Sequence, residues 1–183
     1  NIIQNMNLKN QRVLLRLDLN VPIENDLVTD DFRIRASVPT IQHCIDEGAS
    51  VVIMTHLGRP NGNRVKSLSV LPVGETLADI IEKPIKFSDD CISEDAVDVS
   101  KYLMPGEIHL MENLRFHKGE TENDPEYSRL LSMHGTVYIN DAFGTAHREH
   151  ASNVGVTKFF QEKGLGLLIQ REVKYLSSIL EKP

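Results

Sequence analysis

The stretch SVVIMT, residues 50–55, constrains the fold more than any other part of the sequence. A strand with one face in water alternates apolar and polar residues, whereas this run is apolar almost throughout and rich in β-branched side chains. Such a strand is covered on both faces. It therefore predicts a largely parallel sheet that lies between two layers of helices.

Segments of strand length alternate along the chain with segments of helical spacing. The first long helix is expected to begin after the capping residues Asp30 and Asp31 and to end at Gly48. This repetition predicts a three-layer α/β/α fold with a mainly parallel, Rossmann-like sheet, in which residues 1–183 form one domain. The predicted strands cover residues 12–19, 50–55, 83–87, 107–111 and 136–140, and the predicted helices cover residues 32–47, 71–82, 94–104, 124–134 and 169–182.

The overall charge argues against several classes of protein. The chain has 20 Lys and Arg residues against 26 Asp and Glu residues, a formal charge of −6, which disfavours non-specific nucleic-acid binding and a polybasic membrane contact. No apolar run approaches the ~20 residues that span a bilayer, and the polar start does not resemble a signal peptide. Cys44 and Cys91 are far apart in sequence and are expected to be reduced thiols in a cytoplasmic protein. Because residue 1 is Asn, we expect a piece of a longer chain.

Arginines follow the predicted strands at the points where these strands end. The first strand ends in RLDLN, and later strands lead into THLGRP, MENLRFHKG and NDAFGTAHREH. In open parallel sheets, ligands bind outside the carboxyl ends of the strands. Each of these four exits delivers at least one Arg and a second polar residue, so the sequence predicts a binding site at this edge.

The first exit places three polar side chains on one face of a strand. With a period of two, Arg16, Asp18 and Asn20 alternate with leucines. Polar groups on a strand that is buried on both faces are costly unless they are paired. Two interpretations remain open, a structural ion pair between Arg16 and Asp18 and the polar wall of a site.

Three further arginines have positions that surface solvation alone does not explain well. Arg59 lies in HLGRP, where a Gly and a Pro make a rigid turn. Arg115 lies between Leu114 and Phe116, so its guanidinium emerges from apolar surroundings. Arg33 lies in the first turn of a helix, where the helix dipole disfavours a cation. A solvated charge or a structural Arg at a strand end remains the alternative for each of them.

Arginines and histidines that converge at one sheet edge predict a site for a small anion, either phosphate or carboxylate. A zinc site at His147 and His150 is the alternative, but no Cys and no HExxH helix accompanies them. The sequence contains neither GxxxxGK[ST] nor GxGxxG, and GLGLL (164–168) is a weak phosphate-loop candidate. We therefore expect an anion site with no nucleotide site and no metal site in this chain.

Five stretches resemble, in order and spacing, the N-terminal domain of phosphoglycerate kinase. They read RLDLNVP, DDFRIRASVPTI, THLGRPNG, MENLRFHKGE and YINDAFGTAHREHAS, and the likeness runs from about Gln11 to the end of the chain. The resemblance implies the lobe that holds 3-phosphoglycerate. It also implies that residues 169–183 begin the interlobe helix and that the nucleotide-binding C-terminal lobe is absent from this chain.

The resemblance implies roles for individual residues. Arg33 would reach the substrate carboxyl and the phosphoryl group in transfer, which makes it the catalytic candidate. Arg16, His147 and His150 would support the basic patch. The substrate-binding residues that the resemblance implies are Asp18, Leu19, Asn20, Arg33, His56, Leu57, Gly58, Arg59, Arg115 and Arg148.

The implied reaction is the reversible glycolytic transfer of a phosphoryl group between ATP and the carboxylate of 3-phosphoglycerate. Mg-ATP or Mg-ADP would bind the missing C-terminal domain, and this chain, alone, would lack turnover. The implied partners are 3-phosphoglycerate or 1,3-bisphosphoglycerate and the missing lobe, with no nucleic acid and no membrane, in a monomer.

Two residues depart from the family pattern. Thr55 stands where Ser is usual, and Glu149 stands where a small residue is common, so Glu149 could lower the local positive potential. Two other functions remain as alternatives: a stand-alone phosphate- or carboxylate-binding module without kinase activity, and a metal-dependent hydrolase on the same sheet.

Overall fold

The computed structural model describes residues 1–142, 144 and 148–181. Its strands are β1 (Arg12–Leu17), β2 (Ile23–Glu24), β3 (Leu27–Val28), β4 (Ser50–Met54), β5 (Lys86–Ser88), β6 (Ile108–Met111), β7 (Val137–Asp141) and β8 (Lys163–Leu165). Its α-helices are α1 (Phe32–Asp46), α2 (Leu71–Ile81), α3 (Glu94–Lys101), α4 (Lys118–Thr121), α5 (Pro125–Ser132) and α6 (Leu167–Glu181).

Six of the strands form one sheet in the order β5-β6-β4-β1-β7-β8, and every neighbouring pair in it is parallel. β1 lies between β4 and β7, so its exit is adjacent to the exits of both. β2 and β3 form a separate antiparallel hairpin. The sheet confirms the predicted α/β fold with a parallel, Rossmann-like sheet.

The two faces of the sheet pack against different elements. On one face, Val13, Leu15 and Leu17 of β1 join a core with α1 and α2, and α6 packs against α1 and β7. On the other face, Leu14 joins a core that contains Tyr127 of α5, and α3 packs against β5 and β6. Burial on both faces explains why β4 is apolar from Val51 to Met54, as its sequence predicted. No helix among the described residues is long and apolar enough to cross a membrane.

The structure differs from the sequence-based expectations at several boundaries. β1 ends at Leu17 rather than at residue 19, and β5 begins at Lys86 rather than at residue 83. The edge strand β8 and the β2–β3 hairpin were not predicted. β8 has three residues, one of them a glycine, and pairs with β7 and through a single bridge with Ile2. It is too short to show an apolar period in the sequence.

The carboxylate of Asp141, at the end of β7, anchors the start of α6. One of its oxygens accepts a hydrogen bond from Ile169 N (3.0 Å), and the other accepts one from Thr40 Oγ1 of α1. Thr40 Oγ1 in turn accepts a hydrogen bond from Leu167 N at 3.1 Å. Gly166 leaves room for this arrangement, because a Cβ there would lie 2.3 Å from the carboxylate carbon. Burial raises the pKa of Asp141 to about 6.

A chain of buried hydrogen bonds joins the second helix layer to the sheet. His134 Nε2 contacts the carbonyl oxygen of Cys91 at 2.8 Å, so this nitrogen carries the proton and Nδ1 accepts from Ser100 Oγ. Ser100 Oγ then accepts from His109 Nδ1 at 2.9 Å, and His109 Nε2 accepts from Ser88 Oγ at 2.7 Å. In this arrangement each ring carries one proton and is neutral, and a second ring proton would require the facing serine hydroxyl to give up the bond that it donates. Burial lowers the pKa of His109 to about 3 and that of His134 to about 4.

This chain predicts a loss of stability in mild acid. Both histidines have folded-state pKa values below the unfolded value of about 6.5, so their contribution is complete above that pH and is lost as pH falls. Between pH 7 and pH 5, the free energy of unfolding should fall by about 1–2 kcal/mol more in the wild type than in His134→Gln. Urea unfolding at both pH values measures this difference. Asn63→Ala, at an exposed residue without a titratable group, is the control and should keep the wild-type pH dependence; the same dependence in His134→Gln would contradict the prediction.

Candidate functional site

A cavity of about 260 Å³ opens at the carboxyl edge of the sheet. Arg115 is almost fully buried, whereas Arg59 and Arg148 are exposed. Cations supply most of the charged groups around the cavity, and the sequence predicted that these three arginines would converge. The residues that line the cavity are Arg59, Asn61, Gly62, Arg115, Thr121, Arg148 and His150.

The positive charge at this edge has little direct compensation. Among the described residues, no carboxylate lies within 4.0 Å of the guanidinium of Arg16, Arg59, Arg115 or Arg148. Arg115 is 8 % exposed, its Nη1 donates to the carbonyl of Gly58 at 3.2 Å, and its Nε has no hydrogen-bond partner among the described residues. Burial, followed by the charge of Arg16, lowers the pKa of Arg115. A buried guanidinium with an unused donor among like charges is suited to hold an anion.

Arg16 lies beneath this cluster and is fully buried. It donates from Nε to Ser152 Oγ at 2.9 Å, from Nη1 to the carbonyl of Leu17, and from Nη2 to His56 Nδ1 at 2.8 Å. The alternative of an Arg16–Asp18 ion pair is therefore wrong, because Asp18 pairs with Arg33 instead.

His56 follows β4 and is 4 % exposed. Burial, together with the charges of Arg16 and Arg115, lowers the pKa of His56 to about 2. The ring is therefore neutral at any ordinary pH. His150 lies nearby, and burial lowers its pKa as well.

A second group of polar residues lies beside the cations. Arg33 Nη1 lies 3.2 Å from Asp18 Oδ1 and donates to the carbonyl of Asn20 at 3.0 Å. Asn20 Oδ1 accepts a hydrogen bond from Gly58 N at 3.1 Å, which connects this group to the loop after β4. Gly58 has a φ of +61°, and a Cβ there would lie 2.9 Å from Leu68 Cδ2. The exits of β1 and β4 thus meet through backbone and side-chain contacts, as the sequence predicted.

Arg33 is exposed, unlike the buried Arg16 and Arg115. Its side chain is about half exposed, and it opens onto a wide groove that Asp18, Phe32 and Tyr175 also line. The helix dipole disfavours a cation in the first turn of α1, and the ion pair of Arg33 with Asp18 offsets this repulsion. This contact explains why a cation is tolerated at a helix N-terminus.

Two predicted site residues face the core instead of the cavity. Leu19 and Leu57 are both buried in the core that contains α1 and α2. Leu19 N donates to Thr55 Oγ1 at 3.0 Å, so the Thr at this position supports the turn after β1. If either leucine contacts a ligand, it can do so only through its backbone.

Asn113 was not predicted from the sequence, yet it holds the loop after β4 in place. Its Oδ1 accepts from Leu57 N (3.3 Å) and Arg115 N (3.0 Å), and its Nδ2 donates to the carbonyls of Leu57 (2.8 Å) and Leu68 (2.9 Å). One buried amide therefore fixes both the HLGRP turn and the backbone of Arg115. No sequence pattern marks this role, because an Asn beside a strand is ordinary.

Of the two candidate zinc ligands, His150 lines the cavity and His147 lies outside the described residues. Glu149 is exposed. The described residues contain one group whose ligand atoms lie within 4.8 Å of one another: Asp90, Cys91 and His117. Contacts among side chains account for it, because His117 Nε2 lies 2.5 Å from Asp90 Oδ1 and Cys91 Sγ lies 3.2 Å from Tyr127 Oη.

Removal of the Asn113 side chain should destabilise the site. Asn113→Ala leaves four backbone groups without a partner in a buried position, so we expect the free energy of unfolding to fall by about 3 kcal/mol. The control is Asn63→Ala, because Asn63 is exposed and donates only to nearby carbonyls; a loss below about 1 kcal/mol is expected there. Urea unfolding of both variants provides the measurement, and equal losses would refute the role assigned to Asn113.

Comparison with known proteins places the chain in a family. A sequence model described as phosphoglycerate kinase matches residues 3–183. The phosphoglycerate kinase of Chloroherpeton thalassium is 44% identical over 173 residues, 94% of this chain and 44% of the relative. That of Finegoldia magna is 44% identical over 183 residues, 99% of this chain and 46% of the relative.

Solved structures show the same likeness. The structure of phosphoglycerate kinase from Coxiella burnetii has a TM-score of 0.87 and 38% identity, and it covers 100% of this chain and 45% of the other. The phosphoglycerate kinase of Pyrococcus horikoshii OT3 has a TM-score of 0.86 and 31% identity, over 96% and 44% of the two chains. The chain thus spans about half the length of the relatives that it matches. With the family match, these similarities show that the chain belongs to the phosphoglycerate kinase family.

Proposed function

We propose that this chain is the 3-phosphoglycerate-binding lobe of a phosphoglycerate kinase. In the proposed enzyme, a phosphoryl group moves reversibly between ATP and the carboxylate of 3-phosphoglycerate. The observation that supports this proposal best is the buried Arg115, whose guanidinium lies among like charges and has an unused donor. A phosphate group would supply the missing negative charge and the missing acceptor.

The substrate phosphate is proposed to bind in the cavity of Arg59, Arg115 and Arg148. Arg carries a planar set of donors that matches phosphate oxygens in pairs, which a Lys cannot do. A buried cation on one wall and two exposed cations at the mouth also favour entry of an anion from solution.

The carboxylate end is proposed to lie toward Asp18, Asn20 and Arg33. Asp18 can accept a hydrogen bond from the substrate hydroxyl, while Arg33 can exchange its contact with Asp18 for one with the substrate carboxylate. Because Arg33 is half exposed at the groove, it is also our candidate for the residue that contacts the phosphoryl group in transfer.

The acceptor chemistry agrees with a site that is rich in cations. A carboxylate with a pKa near ~4 is ionised at pH 7, so it needs no general base before it attacks phosphorus. What the reaction requires is the alignment of two anions and the stabilisation of charge on the transferring group. The site supplies cations for both purposes.

The chemistry of the described residues supports a magnesium site outside this lobe. Mg²⁺ prefers carboxylate, carbonyl and water oxygens, whereas the one metal-type group of the described residues has a sulfur and an imidazole among its ligands. The cavity itself is lined by cations. We therefore propose that Mg-ATP or Mg-ADP binds to the other half of the enzyme and assign it no contact here.

The second lobe is the proposed partner of the exposed apolar side of α6. Several apolar side chains of this helix are between 44% and 85% exposed, and relatives of this family are about twice as long as this chain. We expect a cytoplasmic, monomeric enzyme in which this lobe binds substrate but does not turn it over alone. The residues on the exposed side are Val173, Tyr175, Leu176, Ile179 and Leu180.

Thermal unfolding of this chain with 3-phosphoglycerate tests the proposal. Ligand at about 100 times its dissociation constant should stabilise the fold by ~2.7 kcal/mol, a rise in Tm of roughly 5–10 °C. Arg148→Ala should lose most of this rise because a phosphate contact is missing. Arg129→Ala, which removes an exposed arginine of α5 outside the cavity, should retain it. A rise with Mg-ATP but not with 3-phosphoglycerate would contradict the proposal.

A stand-alone anion-binding module is the second candidate, since the charge cluster alone would suit one. The two candidates differ in selectivity. A module for phosphate should be stabilised equally by inorganic phosphate and by 3-phosphoglycerate, whereas the proposed lobe should prefer 3-phosphoglycerate through Asp18, Asn20 and Arg33. Calorimetric titration with both ligands measures the ratio of the two affinities. A ratio near one would favour the module.

A further inference from the structure

A buried carboxylate, Glu120, lies behind the cationic cavity and has no place in the proposed substrate contacts. It is 0% exposed and belongs to the short helix α4. Its Oε1 accepts a hydrogen bond from Ser152 N at 2.8 Å, and its Oε2 accepts one from Ser152 Oγ at 2.6 Å. Burial of a carboxylate is costly, so a group that is held by two such bonds needs an explanation.

Ser152 connects this carboxylate to Arg16. Because the Ser152 hydroxyl donates its proton to Glu120, its oxygen is free to accept, and Arg16 Nε donates to it at 2.9 Å. A single neutral hydroxyl therefore joins a buried anion to a buried cation. No direct ion pair between Glu120 and Arg16 occurs within 4.0 Å.

Arg16 then determines which nitrogen of His56 carries the proton. A guanidinium has donors and no acceptor, and Arg16 Nη2 lies 2.8 Å from His56 Nδ1. Nδ1 must therefore accept, which excludes the Nδ1–H tautomer and the charged ring. The proton of the neutral ring is on Nε2.

The remaining nitrogen of His56 is available to a ligand. Nε2 has no hydrogen-bond partner among the described residues, and it is not one of the fully buried atoms without a partner. The small exposed part of the ring thus includes this nitrogen. The arginines whose charges act on His56 are Arg16, Arg115 and Arg148.

We infer that Glu120, Ser152 and Arg16 form a relay that positions His56 as a neutral hydrogen-bond donor, through Nε2–H, toward the bound anion. The inference rests on the proposed function and deepens it. Glu120 and Ser152 act through other residues and are positioning residues. A neutral His56 in this place adds a donor without adding a further charge to a crowded set of cations.

Glu120 also reduces the electrostatic repulsion among the cations around the cavity. Burial and the neighbouring arginines lower the pKa of Arg115 and of His150, and the charge of Glu120 opposes part of this lowering. One buried carboxylate offsets part of the repulsion among several cations, and the remainder stays positive for the ligand. Ser152 keeps this carboxylate separated from Arg16, so the pair does not neutralise itself.

The tautomer of His56 can be read directly by two-bond ¹H–¹⁵N NMR of the imidazole, with His56→Gln to assign the signals. In the wild type without ligand, we expect the Nε2–H tautomer with no titration between pH 5 and pH 8. Ser152→Ala removes the acceptor of Arg16 Nε and should produce a mixture of tautomers or a titrating ring. Its affinity for 3-phosphoglycerate should fall about tenfold, as for the loss of one charge-assisted hydrogen bond.

Two more variants complete the test. Glu120→Gln should change the His56 signals in the same way, which covers the case in which Ser152→Ala does not fold. Ser132→Ala, on α5 and outside the relay, should keep the wild-type tautomer and affinity. An Nδ1–H or charged His56 in the wild type would overturn the inference. So would a wild-type tautomer in both relay variants, whatever their affinity.

This readout is independent of the proposed function. If the wild type shows the expected tautomer and does not bind 3-phosphoglycerate, the proposed function fails while the relay geometry stands. If the wild type binds 3-phosphoglycerate and the tautomer is unchanged in the relay variants, the proposed function stands and the relay fails.

Discussion

The rest of this site depends on buried arginines that no described carboxylate contacts directly. Arg16 and Arg115 are both buried, and no carboxylate among the described residues lies within 4.0 Å of either. Such an arrangement would disperse on a flexible scaffold, because like charges repel and guanidinium groups are better solvated in water. It persists because the exits of β1, β4 and β6 are fixed by a sheet that is packed on both faces.

The scaffold holds the cations through neutral groups. The amide of Asn113 fixes the backbone of Arg115, and the hydroxyl of Ser152 receives a hydrogen bond from Arg16. Carbonyl, amide and hydroxyl oxygens satisfy donors without cancelling charge. The positive potential of the cavity is therefore preserved for a ligand, at a cost in stability that the core of the sheet offsets.

The sequence was informative wherever a single segment carries its own signal. The run at 50–55 predicted a strand that is buried on both faces, and the arginines at the strand exits predicted a common edge. The sequence did not reveal the contacts that orient these arginines. Arg16 and Ser152 lie 136 residues apart, and Asp18 could be assigned to Arg33 or Arg16 only once the fold was known. β8 was missed because three residues at a sheet edge have no period.

The most direct test of the account is the stability of Arg115→Met in a buffer without phosphate, with and without 3-phosphoglycerate. If Arg115 is kept for an anion, replacement by an apolar side chain of similar length relieves repulsion and removes a buried unpaired donor. The variant should then be at least as stable as the wild type when no ligand is present, and 3-phosphoglycerate should stabilise only the wild type. A variant that is several kcal/mol less stable without ligand, and that still responds to 3-phosphoglycerate, would show that Arg115 is a structural residue and would contradict the account.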